Sequence, residues 1–211
     1  MNTSITIALP KGRLADKTIE ILEKCGLNCD SLKKDTRKLV LTDASDKFKF
    51  IFVKPIDVPT YIERGAADIG IAGKDTLLEA DADVYEVANL GFGDCKMCVA
   101  GFKKRTYNVT SGNLRVATKY ENIAKHYYES IGVNVDIIKL NGSVELGPIV
   151  GLSDVIVDIV ESGKTLKANG LSVLEEICEL TARLIVNKIS LKLKAQIICP
   201  LIKKITEVLD I

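Results

Sequence analysis

The segment VIVDIVESGKT, from Val155 to Thr165, combines the residue types that a phosphate-binding corner requires. Its β-branched first half predicts a buried strand that carries Asp158 towards its end. A turn of small and basic residues follows: Ser162, Gly163, Lys164 and Thr165. Glycine lets the backbone approach an anion, and the first N–H groups of the next helix can donate hydrogen bonds to it, as can the two hydroxyls. The turn is not a P-loop, because that motif requires Gly where Asp158 stands. An ordinary strand–turn–helix corner is the alternative on this pattern alone.

Two carboxylates belong to the same segment. Asp154 and Asp158 are four residues apart along a predicted strand, so they are expected to share one face. Carboxylates repel a phosphate, but they suit sugar hydroxyls, or a Mg²⁺ ion that phosphates also ligate. These two residues therefore extend the predicted phosphate site towards a sugar or a metal ion.

Three further turns follow predicted strands in the first half of the chain. Lys11 and Arg13 flank Gly12 directly after the first strand, and such a compact cationic turn suits a pyrophosphate. Two other turns stand in the same position after later strands: Lys54-Pro55 and Gly73-Lys74-Asp75. Strand ends face ligand crevices in α/β sheets. A solvated basic turn and plain βαβ connections are the alternatives.

The composition narrows the class of protein. The 211 residues carry 29 Lys and Arg against 28 Asp and Glu, a net charge of +1, which argues against a general binder of nucleic acid. The first residues do not read as a signal peptide, and no apolar run approaches the roughly 18 residues of a membrane span. We therefore expect a reduced, cytoplasmic protein.

The cysteines and the single histidine predict no chemistry of their own. Cys95 and Cys98 form one CxxC, which is not a zinc site without a second pair or histidines, so buried or incidental thiols are expected. His126 lies in the middle of a predicted helix, where a structural or surface role is favoured.

Segments of two kinds alternate along the chain, which predicts an α/β fold with mostly parallel sheets. Strands are expected at 5–9, 68–72, 84–90, 96–100, 115–118, 135–140 and 155–160, with a hairpin over 38–53. Helices are expected at 14–25, 57–64, 74–79, 122–131 and 188–209, the second capped by Asp57 and the last kinked or bounded at Pro200. Seams at 91–93 and 103–112 predict two lobes around a cleft, a common place for a ligand.

Taken together, several stretches match one family in its own order. They are ALPKGRL, VPTYIERGAADIGIAGKDTLLE, LGFGDCKMCVA, RVATKYENIAKHY, LNGSVELGPIVGLSDVIVDIVESGKTLKANGL and RLIVNKIS, and they run from Ala8 to Ser190. The chain resembles the short form of ATP phosphoribosyltransferase, and its 158–165 turn resembles the loop that binds 5-phosphoribosyl 1-diphosphate (PRPP). The resemblance implies a periplasmic-binding-protein-like fold, with 1–90 plus 176–211 as lobe I and 91–175 as lobe II.

The implied reaction joins adenine N1 of ATP to C1 of PRPP, releases pyrophosphate, and is the first step of histidine biosynthesis. PRPP contacts are expected at Asp154, Asp158, Glu161, Ser162, Gly163, Lys164 and Thr165. Catalytic phosphate contacts are expected at Lys11, Arg13 and Lys54, and ATP contacts at Gly12, Gly73, Asp75 and Glu145. Mg²⁺ is the expected cofactor, held mainly through substrate phosphates.

The resemblance also implies partners. The short form lacks the long form's histidine-binding regulatory domain, and the chain ends too soon after its last helix to hold one. Relatives of this kind work as a dimer of catalytic chains joined to a regulatory subunit related to histidyl-tRNA synthetase. We expect the same here, with no nucleic acid and no membrane as partner.

Two departures and two rival functions accompany this interpretation. Lys54 and Lys96 stand where Arg is expected in many relatives, and lysine keeps the charge but lacks the bidentate fork. The main rival is a non-catalytic binder of a small metabolite, of the solute-binding type. The missing export signal and the phosphate turn count against it. A redox protein using Cys95 and Cys98 is far less favoured.

Overall fold

The computed structural model describes residues 4–33, 38–43, 45–103 and 113–210, so the predicted seam at 103–112 lies almost wholly outside the described residues. Eleven strands are described: β1 (Ile5–Pro10), β2 (Val40–Thr42), β3 (Phe48–Val53), β4 (Ile69–Gly73), β5 (Tyr85–Asn89), β6 (Cys95–Gly101), β7 (Leu114–Thr118), β8 (Val135–Lys139), β9 (Val155–Val160), β10 (Ser172–Leu180) and β11 (Ala182–Val186). Eight α-helices are described: α1 (Arg13–Lys24), α2 (Val58–Glu63), α3 (Lys74–Ala80), α4 (Glu121–Ser130), α5 (Leu146–Ile149), α6 (Lys164–Ala168), α7 (Lys188–Leu193) and α8 (Ala195–Val208). Within these ranges, no helix combines the length and the apolar character that crossing a bilayer requires.

The chain divides into two compact units, each built on one sheet. The first unit holds the described residues up to Gly93 and from Thr181 onward, and the second is Asp94–Leu180. The boundary expected between residues 175 and 176 would cut β10, which runs without a break to Leu180. The second unit therefore includes the whole of that strand.

The sheet of the first unit has the strand order β2-β3-β1-β4-β11-β5. β1 pairs in parallel with β3 and β4, while β2, β5 and β11 pair antiparallel with their neighbours. One face packs on α1 and α8 through side chains such as Leu22 and Ile198, and the other packs on α2 and α3 through Ile62 and Leu77. Because β1, β3 and β4 are parallel, their carboxyl ends meet at one edge, where the chain continues into Lys11, Lys54 and Lys74.

The sheet of the second unit has the order β10-β6-β9-β7-β8. β7 pairs in parallel with β8 and β9, and β6 pairs antiparallel with β9 and β10. One face, which includes Val116 and Val157, packs on α4. The opposite face holds Ala117 and Ile156 against Leu166 of α6, and we call it the cavity face. The carboxyl ends of β7 and β9 again share one edge.

The α/β class is confirmed, and both sheets are mixed rather than mostly parallel. The helical connections between parallel strands were visible in the sequence pattern. The antiparallel strands were expected only as one hairpin, which the β2–β3 pair confirms. β6, β10 and β11 join their sheets antiparallel, and strand direction leaves no trace in the apolar pattern of a buried strand.

The predicted C-terminal helix is two helices, and its break is not at proline. α7 ends at Leu193 and α8 begins at Ala195, with Pro200 inside α8. At Lys194 the backbone leaves the helical region (φ −118°), and its ammonium donates to both oxygens of Asp68 at 2.8 Å. This half-buried ion pair lies at the break, and Pro200 does not. Asn187 begins α7 by accepting from the N–H of Ser190 at 2.8 Å.

Candidate active site

The turn after β9 is shaped by a glycine in the left-handed conformation. Gly163 adopts φ +67° and ψ +4°, a left-handed conformation that ordinary residues rarely take, and it stands directly before α6. The first N–H groups of α6 have no partner within the helix. Ser162, Lys164 and Thr165 are exposed beside them. We call residues 161–165 the phosphate corner.

A cavity of about 270 Å³ opens on this corner. It is lined by strand residues of the cavity face (Ala100, Ile156, Asp158, Ile159, Val160), by the corner (Glu161, Ser162, Gly163, Lys164, Thr165), by Leu166 and by Glu145. The structure therefore brings together seven of the residues that the sequence predicted for PRPP or ATP: the five of the corner, Asp158 and Glu145.

The surroundings of Asp158 in this cavity shift the pKa of its carboxyl. Burial raises its pKa, the backbone N–H of Ile159 opposes that rise by hydrogen bonding, and the negative charge of Glu145 raises it further. The positive charge of Lys119 lowers it. A half-buried carboxyl that needs help to stay ionised is poised to accept hydrogen bonds from hydroxyls, or to meet a cation.

Asp154 is not brought to the cavity. It precedes β9 at the amino end of the strand, and both of its oxygens accept from Arg115, with Nη2 to Oδ1 at 2.9 Å and Nε to Oδ2 at 3.1 Å. Arg115 also donates to the carbonyl oxygens of Gly151 and Leu152. Asp154 and Asp158 lie at opposite ends of one strand, and the geometry of Asp154 is that of a structural ion pair that fixes the entry to β9.

The cationic turn of the first unit begins at the end of β1. The N–H of Lys11 donates to the carbonyl of Val53 at 3.0 Å, which ties this turn to the end of β3. Gly12 adopts φ +102° and ψ −161° before α1, a conformation that requires glycine. Lys11, Gly12 and Arg13 are exposed at the carboxyl edge of the sheet, and Lys54 follows β3 at the same edge.

The Gly73–Asp75 turn completes that edge. The carboxylate of Asp75 folds back over Gly73. It lies so close that a Cβ at Gly73 would collide with it. Lys74 donates to Glu86 at 2.6 Å, and the other oxygen of Glu86 lies 3.2 Å from Arg183. Lys74 is thus held in an ion-pair network, and Gly73 and Asp75 are the members of the turn that the sequence assigned to ATP.

The structure places the cysteines and the histidine that the sequence analysis discounted. Cys95 and Cys98 lie on opposite faces of β6. Cys95 packs on the α4 face, as Met97 and Val99 do. Cys98 lies between Met97 and Val99 in the strand, so its side chain points to the other face. Burial raises the pKa of the Cys98 thiol, so this thiol stays protonated and unreactive near neutral pH. Lys96 donates to Glu176 at 2.7 Å. His126 is exposed on α4.

Among the described residues, no three His, Cys, Asp or Glu side chains form a group that could hold a metal ion. The oxygen donors of Asp158 and Glu145 nevertheless suit Mg²⁺, which is commonly bound by one or two carboxylates together with substrate phosphates. The donor set therefore fits a metal that arrives with its substrate.

The sequence analysis did not single out Lys119, which follows β7 next to β9. A signal was available, because it is the first residue after the strand predicted at 115–118 and a cation in that position can face a ligand.

Comparison with known proteins gives one family. The model of the ATP phosphoribosyltransferase family matches residues 54–207. The protein named ATP phosphoribosyltransferase in Thermoanaerobacter sp. (strain X514) is 58% identical over 207 residues, which cover 98% of this chain and 97% of the relative. Its namesake in Clostridioides difficile (strain 630) is 55% identical over 203 residues, 96% of this chain and 97% of the relative.

Two solved structures extend the comparison. A chain of the ATP phosphoribosyl transferase (HisG:HisZ) complex from Thermotoga maritima is 37% identical, with a TM-score of 0.85 and 98% of both chains covered. The periplasmic VFT2 domain of BvgS from Bordetella pertussis has a TM-score of 0.56 at 10% identity, covering 99% of this chain and 93% of that domain. The second likeness is one of fold alone, and it confirms the predicted periplasmic-binding-protein-like architecture.

Proposed function

The chain belongs to the ATP phosphoribosyltransferase family, and on that premise we propose which of its residues carry out the reaction. It is an enzyme, a pentosyltransferase of the first step of histidine biosynthesis. The reaction condenses ATP with PRPP into N1-(5-phosphoribosyl)-ATP and pyrophosphate. A non-catalytic solute binder is not favoured.

The phosphate corner binds the 5-phosphate of PRPP in this proposal. The observation that carries it is the left-handed Gly163 beside the cavity: it turns the chain so that the N–H groups at the start of α6 and the hydroxyls of Ser162 and Thr165 can converge on one anion. Lys164 adds a positive charge, and Glu161 stays a further candidate contact at the rim.

Asp158 accepts hydrogen bonds from the ribose hydroxyls, and Glu145 binds ribose or adenine. Both carboxylates line the cavity that the corner opens on. They would also be the residues that help hold Mg²⁺, which supplies charge neutralisation to the departing pyrophosphate when it is bound. For Asp154 we propose a structural role in place of a ribose contact, because Arg115 already engages both of its oxygens.

Lys11, Arg13 and Lys54 bind the pyrophosphate or the ATP phosphates. All three follow strands at the carboxyl edge of the first sheet and are exposed there. Gly12, Gly73 and Asp75 shape the same edge for ATP. The nucleophile is a neutral ring nitrogen, so catalysis needs no strong base and depends on positioning two anionic substrates and stabilising the leaving group.

The proposed partner is a regulatory subunit. The Thermotoga maritima relative was solved as a HisG:HisZ complex, which supports a hetero-oligomer in which dimers of catalytic chains join a histidyl-tRNA-synthetase-like subunit. We place the reaction in the cytoplasm, where ATP and PRPP are available.

One experiment tests the activity and its dependence on the partner together. The purified chain, with and without a regulatory subunit, is incubated with ATP, PRPP and Mg²⁺, and phosphoribosyl-ATP is identified by mass while pyrophosphate is quantified. We expect the two products in equal amounts and none when PRPP is omitted. Pyrophosphate without phosphoribosyl-ATP, or no product with every component present, would contradict the proposal.

A further inference from the structure

Lys119 directly follows β7, the strand that neighbours the predicted ribose site. β7 and β9 pair in parallel with Thr118 opposite Val157, so continuing the register by one residue sets Lys119 level with Asp158. Adjacent strands are about 4.8 Å apart. Lys119 therefore leaves β7 at the level at which Asp158 lies within β9.

The alternation of side chains along β7 and β9 indicates which face of the sheet Lys119 takes. Ala117 and Ile156 both pack in the cluster of the cavity face, and Lys119 and Asp158 each come two residues later. Tyr120, the next residue along the chain, packs in the cluster on the α4 face. Continued one residue past the end of β7, the alternation sets Lys119 on the side of the sheet that Asp158 occupies, next to the residues that line the cavity and not among them.

The backbone on both sides of Lys119 is fixed. The fully buried hydroxyl of Thr118 donates to the carbonyl of Val157 at 2.7 Å and accepts from the N–H of Tyr120 at 2.8 Å. The ammonium of Lys119 lies 5.3 Å from the ring centre of Tyr120. A rigid turn thus holds an exposed cation, whose charge acts on the Asp158 carboxyl.

Lys119 differs from other cations of its unit in its ion pairing. Within the described ranges, no carboxylate lies in ion-pair distance of Lys119, whereas Lys96, Lys139 and Arg115 of the same unit each have one. The corner supplies donors for a 5-phosphate, and Asp158 faces a sugar. The remaining charge on PRPP is the diphosphate at C1.

We propose that Lys119 is a further catalytic residue, one whose ammonium contacts the diphosphate of PRPP. This inference rests on the proposed function of the phosphate corner. In the reaction the bond from C1 to the diphosphate oxygen breaks and its electron pair stays on that oxygen, while C1 bonds to adenine N1 and adenine releases one proton to solvent. The ammonium offsets the negative charge that grows on the leaving oxygen.

The test compares Lys119→Met with Lys119→Arg and with Lys125→Met. Lys125 is an exposed lysine of the same unit on α4, paired only with Glu129 at 3.9 Å among its described ion pairs. With the regulatory subunit present, Lys119→Met should lower kcat/KM for PRPP about 10- to 100-fold, the range for losing one hydrogen bond to a charged group. Lys119→Arg should recover most of that loss, and Lys125→Met should change it less than about twofold.

Binding measurements separate leaving-group contact from support of the corner. Calorimetric titration should show Lys119→Met weakening PRPP and inorganic pyrophosphate by at least about tenfold, with ribose 5-phosphate bound as before. An equal loss for ribose 5-phosphate, a loss confined to ATP, or no loss at all would overturn the proposal. Because binding needs no turnover, a wild-type chain that binds PRPP without forming product would count against the proposed function and not against Lys119.

Discussion

Two glycines at the ends of α6 make a matched pair for testing the phosphate corner. Gly163 precedes the helix with φ +67°, and Gly170 follows it with φ +72°. Among the described residues, a Cβ at Gly163 would meet only Val160 at 3.8 Å, and one at Gly170 would meet only Phe102 at 3.9 Å. Both distances are ordinary contacts, so alanine at either position introduces backbone strain without a clash.

The backbone strain of alanine at these positions determines how large the effects on stability and PRPP affinity should be. The left-handed conformation costs an L residue about 1–2 kcal/mol, so Gly170→Ala, which keeps that conformation, should lower the free energy of unfolding by roughly that amount, and Gly163→Ala should lower it by less. In Gly163→Ala the turn can relax out of its left-handed conformation when no ligand is bound. Binding PRPP must then restore it, and the same 1–2 kcal/mol weakens PRPP about 5- to 30-fold. Gly163→Val, with a β-branched side chain, should abolish PRPP binding while the fold persists.

The assay is calorimetric titration of PRPP into the two alanine variants, with urea unfolding to show that both variants remain folded. Gly170→Ala should bind PRPP within about twofold of the wild-type chain, since only the unliganded end of α6 is strained. Equal weakening in both variants, or wild-type affinity in Gly163→Ala, would refute the assignment of the corner to the 5-phosphate.

Three other predictions concern separate parts of the chain. Lys194→Met leaves the buried carboxylate of Asp68 with its other donors only and should lower the free energy of unfolding by about 2–3 kcal/mol in urea. Arg13→Ala should lower kcat at least about tenfold in the product assay, beyond the effect of a surface charge. Because burial raises the pKa of Asp158, the acid limb of kcat/KM for PRPP should lie above the ordinary range of aspartate, and Asp158→Asn should remove that limb.

Each of the two substitutions has a matched control variant, and the pKa of Asp158 also sets how stability depends on pH. Lys203→Met, which disrupts an exposed pair with Glu207 on α8, should change the free energy of unfolding by less than about 0.5 kcal/mol, and an equal loss in both lysine variants would contradict the buried pair. Lys24→Ala, at the far end of α1, should leave kcat unchanged. A raised pKa also means that the folded state holds the Asp158 proton more tightly, so ionisation of Asp158 lowers stability as pH rises through its folded pKa.

The elements that carry the site were largely readable from the sequence. β9 has the predicted bounds, because a β-branched run ended by Ser162-Gly163 has little else it can form. The cationic turn after β1 also followed from an apolar run ended by Pro10 and Gly12. Local composition determines where such strands end. The phosphate corner and Lys11 directly follow two of these strand ends, so their positions could be predicted as well.

Features that depend on partners distant in the chain were missed. The ammonium of Lys194, at the end of α7, donates to Asp68, more than a hundred residues away, and no local pattern indicates that pair. Asp154 was expected beside Asp158 from spacing alone, but Arg115 on the neighbouring strand binds it at the other end of β9. Asp57 precedes α2 without making the expected side-chain cap. Contacts with residues distant in the chain decided the first two of these cases.

The most direct measurement is a crystal structure of the chain, with its regulatory subunit, in complex with PRPP and Mg²⁺. We expect the 5-phosphate within hydrogen-bond distance, about 2.7–3.2 Å, of backbone N–H groups in residues 162–165, with the ribose hydroxyls on Asp158. PRPP bound with its 5-phosphate elsewhere, and the turn at Gly163 making no contact to it, would show that the phosphate corner does not bind the 5-phosphate.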